Sequence, residues 1–147
     1  MPKVVRSTIL NAPVEQVWEV LRDFNGFDRW HPAITESAME RSLAADKIGA
    51  IRKVKLADGA ELREQLLTLS DLEMAFTYCL LDTPIALFNY VAHVKLIPVT
   101  DTNSTFWHWE GQFTSHPADE KAMFELVADG IFQTGFDAIR THMGLAA

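Results

Sequence analysis

Apolar positions follow three different rhythms along this chain, and the changes of rhythm divide it into elements. Residues 4–10, VVRSTIL, are rich in β-branched side chains and predict a strand. Pro13 suits the first turn of a helix, where its missing N–H is no loss. After it, Val14, Val17, Trp18 and Leu21 fall at i, i+3, i+4 and i+7, one apolar stripe of a helix running to about Asp23. The next stretch, DFNGFDRWHP from Asp23 to Pro32, packs three aromatics and a histidine between the breakers Gly26 and Pro32, and predicts at most a second short helix.

From Ile34 to about Ser115 short apolar runs are separated by turn signals at Asp58-Gly59, Ser70-Asp71 and Thr100–Ser104, the spacing of an antiparallel meander. From Pro117 to about Met143 the alternation gives way to helical spacing, with Phe124, Val127, Ala128, Ile131, Gly135, Ala138 and Ile139 on one face. No repeat or linker divides the chain. The order predicts one α+β domain over residues 1–147, a curved antiparallel sheet of about six or seven strands with the last helix closing one face.

One hairpin can be registered from its pattern. Placing Val99 opposite Ser104 sets Leu96 against Trp107, Val94 against Trp109, Ala92 against Gly111 and Tyr90 against Phe113. Lys95 with His108 and His93 with Glu110 then fall on the other face, suited to solvent. The inner face flanks a small centre, Ala92 and Gly111, with large aromatics, and the last helix also offers small residues. That arrangement predicts either close backbone contact or a void. Voids cost about 24 cal/mol per Å³, so a retained one would have a use.

Composition narrows the classes. At 147 residues the chain suits one core, and its net charge of -7 without a basic run argues against nucleic acid. No apolar run is long enough to span a bilayer, and the N-terminus lacks the apolar core of a signal peptide, so a cytoplasmic location is the default expectation. Cys79 is the single cysteine, which rules out an intramolecular disulfide. The five histidines show no ligand spacing, and neither a metal nor another cofactor is expected.

Glu64 shares its strand face with Leu62 and Leu66. On an inward face it can serve as a general acid or base; on an outward one the Asp58-Gly59 hairpin would pair it with Lys53. Tyr78 and Tyr90 each lie on an inward-reading face and need hydroxyl partners, in the core or on a ligand. No nucleophile elbow or phosphate loop is present.

APVEQVWEVLRDFNGFDRWHP, LREQLLTLSD, NYVAHVKLIPV and FWHWEGQF before a long terminal helix resemble the SRPBCC superfamily, the START/Bet v 1-like group of polyketide cyclases, lipid-transfer domains and plant hormone receptors. The resemblance covers nearly the whole chain. It implies a helix-grip fold, a sheet wrapped around the C-terminal helix with a deep apolar cavity between them. In the abscisic-acid receptor branch a Glu-Arg-Leu strand and a later Asn-Tyr supply a carboxylate and a phenol to the pocket; Glu64-Gln65-Leu66 and Asn89-Tyr90 are the matching stretches here. The receptors' Ser-Gly-Leu-Pro gate loop is replaced by Leu56–Ala60, which is shorter and lacks the proline, so the resemblance does not extend to sensing by that gate.

The expectation is therefore a binder of a small apolar or amphipathic molecule, as a monomer or homodimer without nucleic-acid or membrane partners. Its pocket walls would be Trp30, Tyr78, Tyr90, Trp109, Phe113, Ile131 and Gly135, with Glu64 and His31 supplying polarity. The alternative is a cyclase- or dehydratase-type enzyme with Glu64 as general acid/base and Tyr90 or His31 as hydrogen-bond donor. A third reading is an interaction module with a vestigial cavity.

Overall fold

A computed structural model of the chain describes residues 2–145. Seven strands pair antiparallel in the order β1-β7-β6-β5-β4-β3-β2: β1 (Lys3–Leu10), β2 (Ile34–Met39), β3 (Ile51–Leu56), β4 (Glu61–Ser70), β5 (Ala75–Asp82), β6 (Phe88–Val99) and β7 (Ser104–Thr114). Strands β1 and β2 are neighbours in sequence yet sit at opposite edges. The chain crosses between them through α1 (Val14–Leu21), a 3-10 turn (Phe24–Gly26) and the single-turn α2 (Phe27–Trp30). Val14, Val17, Trp18 and Leu21 are buried as the stripe predicts. The Pro13 carbonyl accepts from the Gln16 and Val17 amides, so the proline stands immediately before the first turn.

The three predicted turns are present, and two of them hold a residue in the left-handed region, Gly59 at φ +90° and Asn103 at φ +49°. Two connections carried weaker signals. Between β2 and β3 lies a 3-10 turn at Glu40–Ser42 followed by an irregular run to Ala50, and between β5 and β6 lies the segment 83–87 around Pro84.

The β6–β7 register matches the hydrophobic pattern from Val99↔Ser104 through Ala92↔Gly111 and slips only beyond Val91↔Gln112. The slip has a local cause. Asn89 sits at φ +54° and forms a bulge, so Phe88 meets Thr114 and the expected Tyr90–Phe113 pairing is absent.

The C-terminal helix runs from Pro117 to Met143, 27 residues. Its middle, Leu126–Gln133, is a π-helix between α3 (Glu120–Glu125) and α4 (Thr134–Met143). Gly144 at φ +68° ends it, with the Leu145 amide reaching back to the Arg140 carbonyl. The residues that face the sheet are Val127, Ala128, Phe132, Gly135, Phe136 and Ile139. Phe132 and Phe136 are additions to the predicted face, while Phe124, Ile131 and Ala138 are only half-buried. The wide π turns rotate the stripe partway along the helix, which a uniform 3.6-residue period does not anticipate. Among the described residues no helix is long and apolar enough to cross a membrane.

Aromatic rings fill the centre of the grip. Trp109 stacks on Phe132 at 4.4 Å and on Trp107 at 5.3 Å, and Trp107 meets Phe136 edge-on at 4.7 Å. The small residues exist for these rings. A Cβ on Gly135 would lie 2.8 Å from the Trp109 ring, and one on Gly111 would lie 3.0 Å from the Tyr90 ring. The predicted void at Ala92/Gly111 is thus closed by Tyr90. Gly135→Ala should cost about 1–3 kcal/mol in urea unfolding, as overpacking does. Gly130→Ala, whose Cβ would meet only Leu126 at 3.4 Å, should be neutral or stabilising. Equal losses at the two glycines would refute this account of the packing.

Candidate functional site

The β3–β4 hairpin sets the chemistry. Its loop is three residues, Ala57-Asp58-Gly59, closed by the Leu56 amide donating to the Ala60 carbonyl. A two-residue turn would have put Lys53 opposite Glu64. The extra loop residue shifts the register by one, pairing Lys53 with Arg63 and Arg52 with Glu64. Because strand faces alternate, the partner changes from a solvent lysine to a buried arginine. Arg52 and Glu64 are 4 % and 6 % exposed. The outward alternative for Glu64 is corrected accordingly: it faces inward and carries its counter-ion with it.

The pair is closely held. Arg52 Nε and one terminal nitrogen donate to Glu64 Oε1, each at 2.9 Å, and the other terminal nitrogen donates to the Phe24 carbonyl at 2.7 Å. The guanidinium lies 3.9 Å from the centre of the Phe24 ring, 4.5 Å from Phe27 and 5.1 Å from Tyr78. Both Arg52 contacts to the carboxylate converge on Oε1, which leaves Oε2 without a side-chain partner among the described residues.

His31, 1 % exposed at the end of α2, uses both ring nitrogens on backbone. Nδ1 accepts from the Ala33 amide at 3.2 Å, which makes Nε2 the protonated nitrogen, donating to the Ile131 carbonyl at 2.9 Å. Burial, the largest effect, pushes the His31 pKa below its ordinary value; Arg52 acts the same way and the bond to Ile131 partly opposes them. Neutral His31 therefore clips α2 to the π segment.

A hollow of about 110 Å³ lies beside these groups, between the β3–β6 end of the sheet and the π segment. Leu62, Leu80, Ile85, Leu87, Leu126 and Ile131 give it an apolar lining, with Phe27, Ala33, Ile34 and Leu56 towards α2 and the hairpin. Glu64, Tyr78, Tyr90 and the edge of His31 complete the wall. A second hollow of about 20 Å³, large enough for a single water, lies on the other side of Arg52, Phe27 and Tyr78 and is bounded by Trp30, Trp107 and Trp109.

The two tyrosines differ. The Tyr90 hydroxyl is sealed, without a hydrogen-bond partner, as are the indole nitrogens of Trp107 and Trp109. The Tyr78 hydroxyl and Glu64 Oε2 make no hydrogen bond either but are not among the sealed atoms, and both residues line the larger hollow. Burial raises the pKa of both phenols, with the Glu64 carboxylate adding to it, so each stays a hydroxyl donor.

Five of the nine expected site residues, His31, Glu64, Tyr78, Tyr90 and Ile131, meet at the larger hollow. Trp30 and Trp109 border the smaller one, and Phe113 and Gly135 are packed in the core. Sequence reading missed Arg52. Its signal was present, because Arg52, Val54 and Leu56 share one strand face as Glu64, Leu62 and Leu66 do. Among the described residues no group of three His, Cys, Asp or Glu side chains could hold a metal.

A curved antiparallel sheet closed on a long C-terminal helix, with a hollow between them, defines the helix-grip class. Residues 1–144 match the family described as polyketide cyclase / dehydrase and lipid transport, and the chain belongs to that family. No curated protein matches the chain. Among solved structures, protein XoxI from Bacillus cereus is 25 % identical, with a TM-score of 0.85 over 96 % of this chain and 94 % of its own. A protein from Thermobifida fusca is 26 % identical, with a TM-score of 0.85 over 98 % and 94 %. A point mutant of norcoclaurine synthase from Thalictrum flavum, solved with a transition-state analogue, superposes with a TM-score of 0.75 over 97 % and 94 % at 13 % identity, a likeness of fold.

Two outcomes follow from this geometry. Arg52→Met leaves a buried carboxylate unpaired and should cost about 3–5 kcal/mol, whereas Arg52→Met with Glu64→Leu should recover most of that loss. A double variant no more stable than the single one would sink the assignment. The His31 pKa is lowered on folding, so its contribution to stability is full above the unfolded value of about 6.5 and is lost as pH falls below it. The unfolding free energy should drop between pH 7 and 5 with a slope that His31→Gln reduces, against a His93→Gln control for the other histidine whose pKa burial lowers. An unchanged slope in His31→Gln would show that His31 is not the titrating group.

Proposed function

We propose that this chain binds an apolar or amphipathic small molecule in the larger hollow, between the sheet and the C-terminal helix. The observation that carries the reading is the wall itself: apolar side chains from β3, β4, β5, the 83–87 segment and the π segment converge around one carboxylate oxygen and one phenol. A mostly apolar enclosure with few convergent polar groups is the usual form of a small-molecule site. Family membership supports the same reading at the level of a hydrophobic-ligand fold.

The enzyme alternative draws less support from the local chemistry. His31 has both nitrogens bonded to backbone and the Tyr90 hydroxyl is sealed, so neither stands ready to donate to a substrate. Glu64 is left as the one acid/base group at the hollow.

Native mass spectrometry of freshly purified protein should show a bound small molecule that denaturation releases. Leu80→Trp, which places a large ring in a half-buried part of the wall, should abolish that adduct while the circular dichroism spectrum is kept. A bound species that persists in folded Leu80→Trp would place the ligand elsewhere and overturn the assignment.

A further inference from the structure

The character of the ligand can be taken further from three features of the hollow: its size, its charge balance and the two polar atoms open to it. We propose that it takes an uncharged, single-ring molecule bearing one hydroxyl, a phenol or cyclic alcohol, held between Glu64 Oε2 and the Tyr78 hydroxyl. This rests on the binding site assigned above and narrows its ligand class.

Size comes first. An engineered apolar cavity of about 150 Å³ holds one benzene ring. A hollow of about 110 Å³ therefore accepts a ring with little more than one substituent. A long acyl chain or a fused polycyclic skeleton does not fit without displacing the wall.

Charge comes second. Arg52 is the cation nearest the site, and its donors are committed to Glu64 Oε1 and the Phe24 carbonyl. Together Arg52 and Glu64 form a net-neutral pair beneath the hollow. A ligand carboxylate would meet Oε2 with no free cation to answer it. An ammonium would be buried close to Arg52 with a carboxylate already shared. Burying an uncompensated charge of either sign is costly, so the site selects for neutrality.

The open polar atoms come third. Oε2 only accepts, and the Tyr78 hydroxyl, with its pKa raised by burial, is available to donate. A single ligand hydroxyl answers both, donating to Oε2 and accepting from Tyr78. A bare carbonyl could accept from Tyr78 but would leave Oε2 unmatched, and a hydrocarbon would leave both unmatched. The resemblance points to Asn89-Tyr90 for the pocket phenol. In this chain the Tyr90 hydroxyl is sealed above Gly111, where a Cβ would come within 3.2 Å of it, and Tyr78 takes its place at the wall. Tyr78 is itself fixed by the guanidinium stacked against its ring at 5.1 Å.

The test is a titration of the 15N-labelled full chain with phenol, cyclohexanol, toluene, benzoate, benzylamine and decanoate, read by amide shifts around the hollow. Phenol and cyclohexanol should bind about tenfold or more tightly than toluene, the worth of a hydrogen bond to a charged group. Benzoate, benzylamine and decanoate should bind more weakly than phenol. Tyr78→Phe should lower phenol affinity severalfold and leave toluene unchanged. Glu64→Gln should do the same where it folds, and Tyr78→Phe keeps the test decisive where it does not. Toluene binding as well as phenol, or a charged probe or decanoate binding best, would overturn the ligand class while leaving the site standing. If no probe shifts the lining residues at millimolar concentration, the binding site itself falls, and the ligand class with it.

Discussion

The buried pair of Arg52 and Glu64 is the contact on which the architecture around the hollow turns. It joins β3 to β4 across the hairpin, ties both to the 3-10 turn through the Phe24 carbonyl, and gives Phe24, Phe27 and Tyr78 a common cation to pack against. Such a pair contributes little net stability, because desolvation offsets most of the Coulomb attraction. Its consequence is positional. With Arg52 bordering the smaller hollow and Glu64 the larger, the pair forms part of the partition between two interior spaces. A hydrophobic substitute could fill the same volume but would present no acceptor to the larger space. The ring positions around it would also lose the directional contacts that set them.

The other end of the grip follows from a different constraint. Four tryptophans and several phenylalanines must be buried against a helix close enough to seal the sheet. Close approach requires glycine or alanine where ring meets backbone, and Gly135 and Gly111 sit at those points. Once Trp107, Trp109, Phe132 and Phe136 interlock, no room remains there. The open volume is confined to the end where the wall is aliphatic, Leu62, Leu80, Ile85 and Leu87, and where the helix is wound as π. The same sheet is thus core at one end and container at the other, with Tyr78 and Tyr90 at the boundary.

Much of this was legible in the residues. The α1 stripe, the meander, the β6–β7 register down to Ala92↔Gly111 and the length of the last helix were all readable, because hydrophobic period and face alternation specify them directly. The distribution of site residues was only half legible. Small residues on facing elements signal close approach, and whether that approach leaves a void depends on which neighbouring ring leans in. Tyr90 over Gly111 and Trp109 over Gly135 are rotamer outcomes that no spacing rule contains. The counter-ion of Glu64 was hidden by a single residue of loop length. Asp58-Gly59 reads equally as a two- or a three-residue turn, and only the latter places Arg52 opposite Glu64.

The π segment is where the two halves of the interior are reconciled. An α-helix of uniform pitch that presented Phe132, Phe136 and Ile139 to the aromatic end would carry the same stripe straight into the aliphatic end. The wider turns at Leu126–Gln133 change the phase, so Val127 and Ala128 still pack while Leu126, Gly130 and Ile131 border the hollow. Wider turns stretch the hydrogen-bond ladder, and the Ile131 carbonyl shows the result. It takes the short i+3 contact from the Thr134 amide, whose other partner is the Asp129 carbonyl five residues back, and also accepts from His31. A neutral, fully buried imidazole suits that task because its two nitrogens offer one acceptor and one donor, matching Ala33 N–H on one side and Ile131 C=O on the other. His31 therefore belongs to the wall by its ring edge and to the helix by its nitrogens. Its position at the end of DFNGFDRWHP explains why that overloaded stretch is neither a plain connector nor a catalytic loop: it carries the clip that holds the irregular helix over the space it encloses.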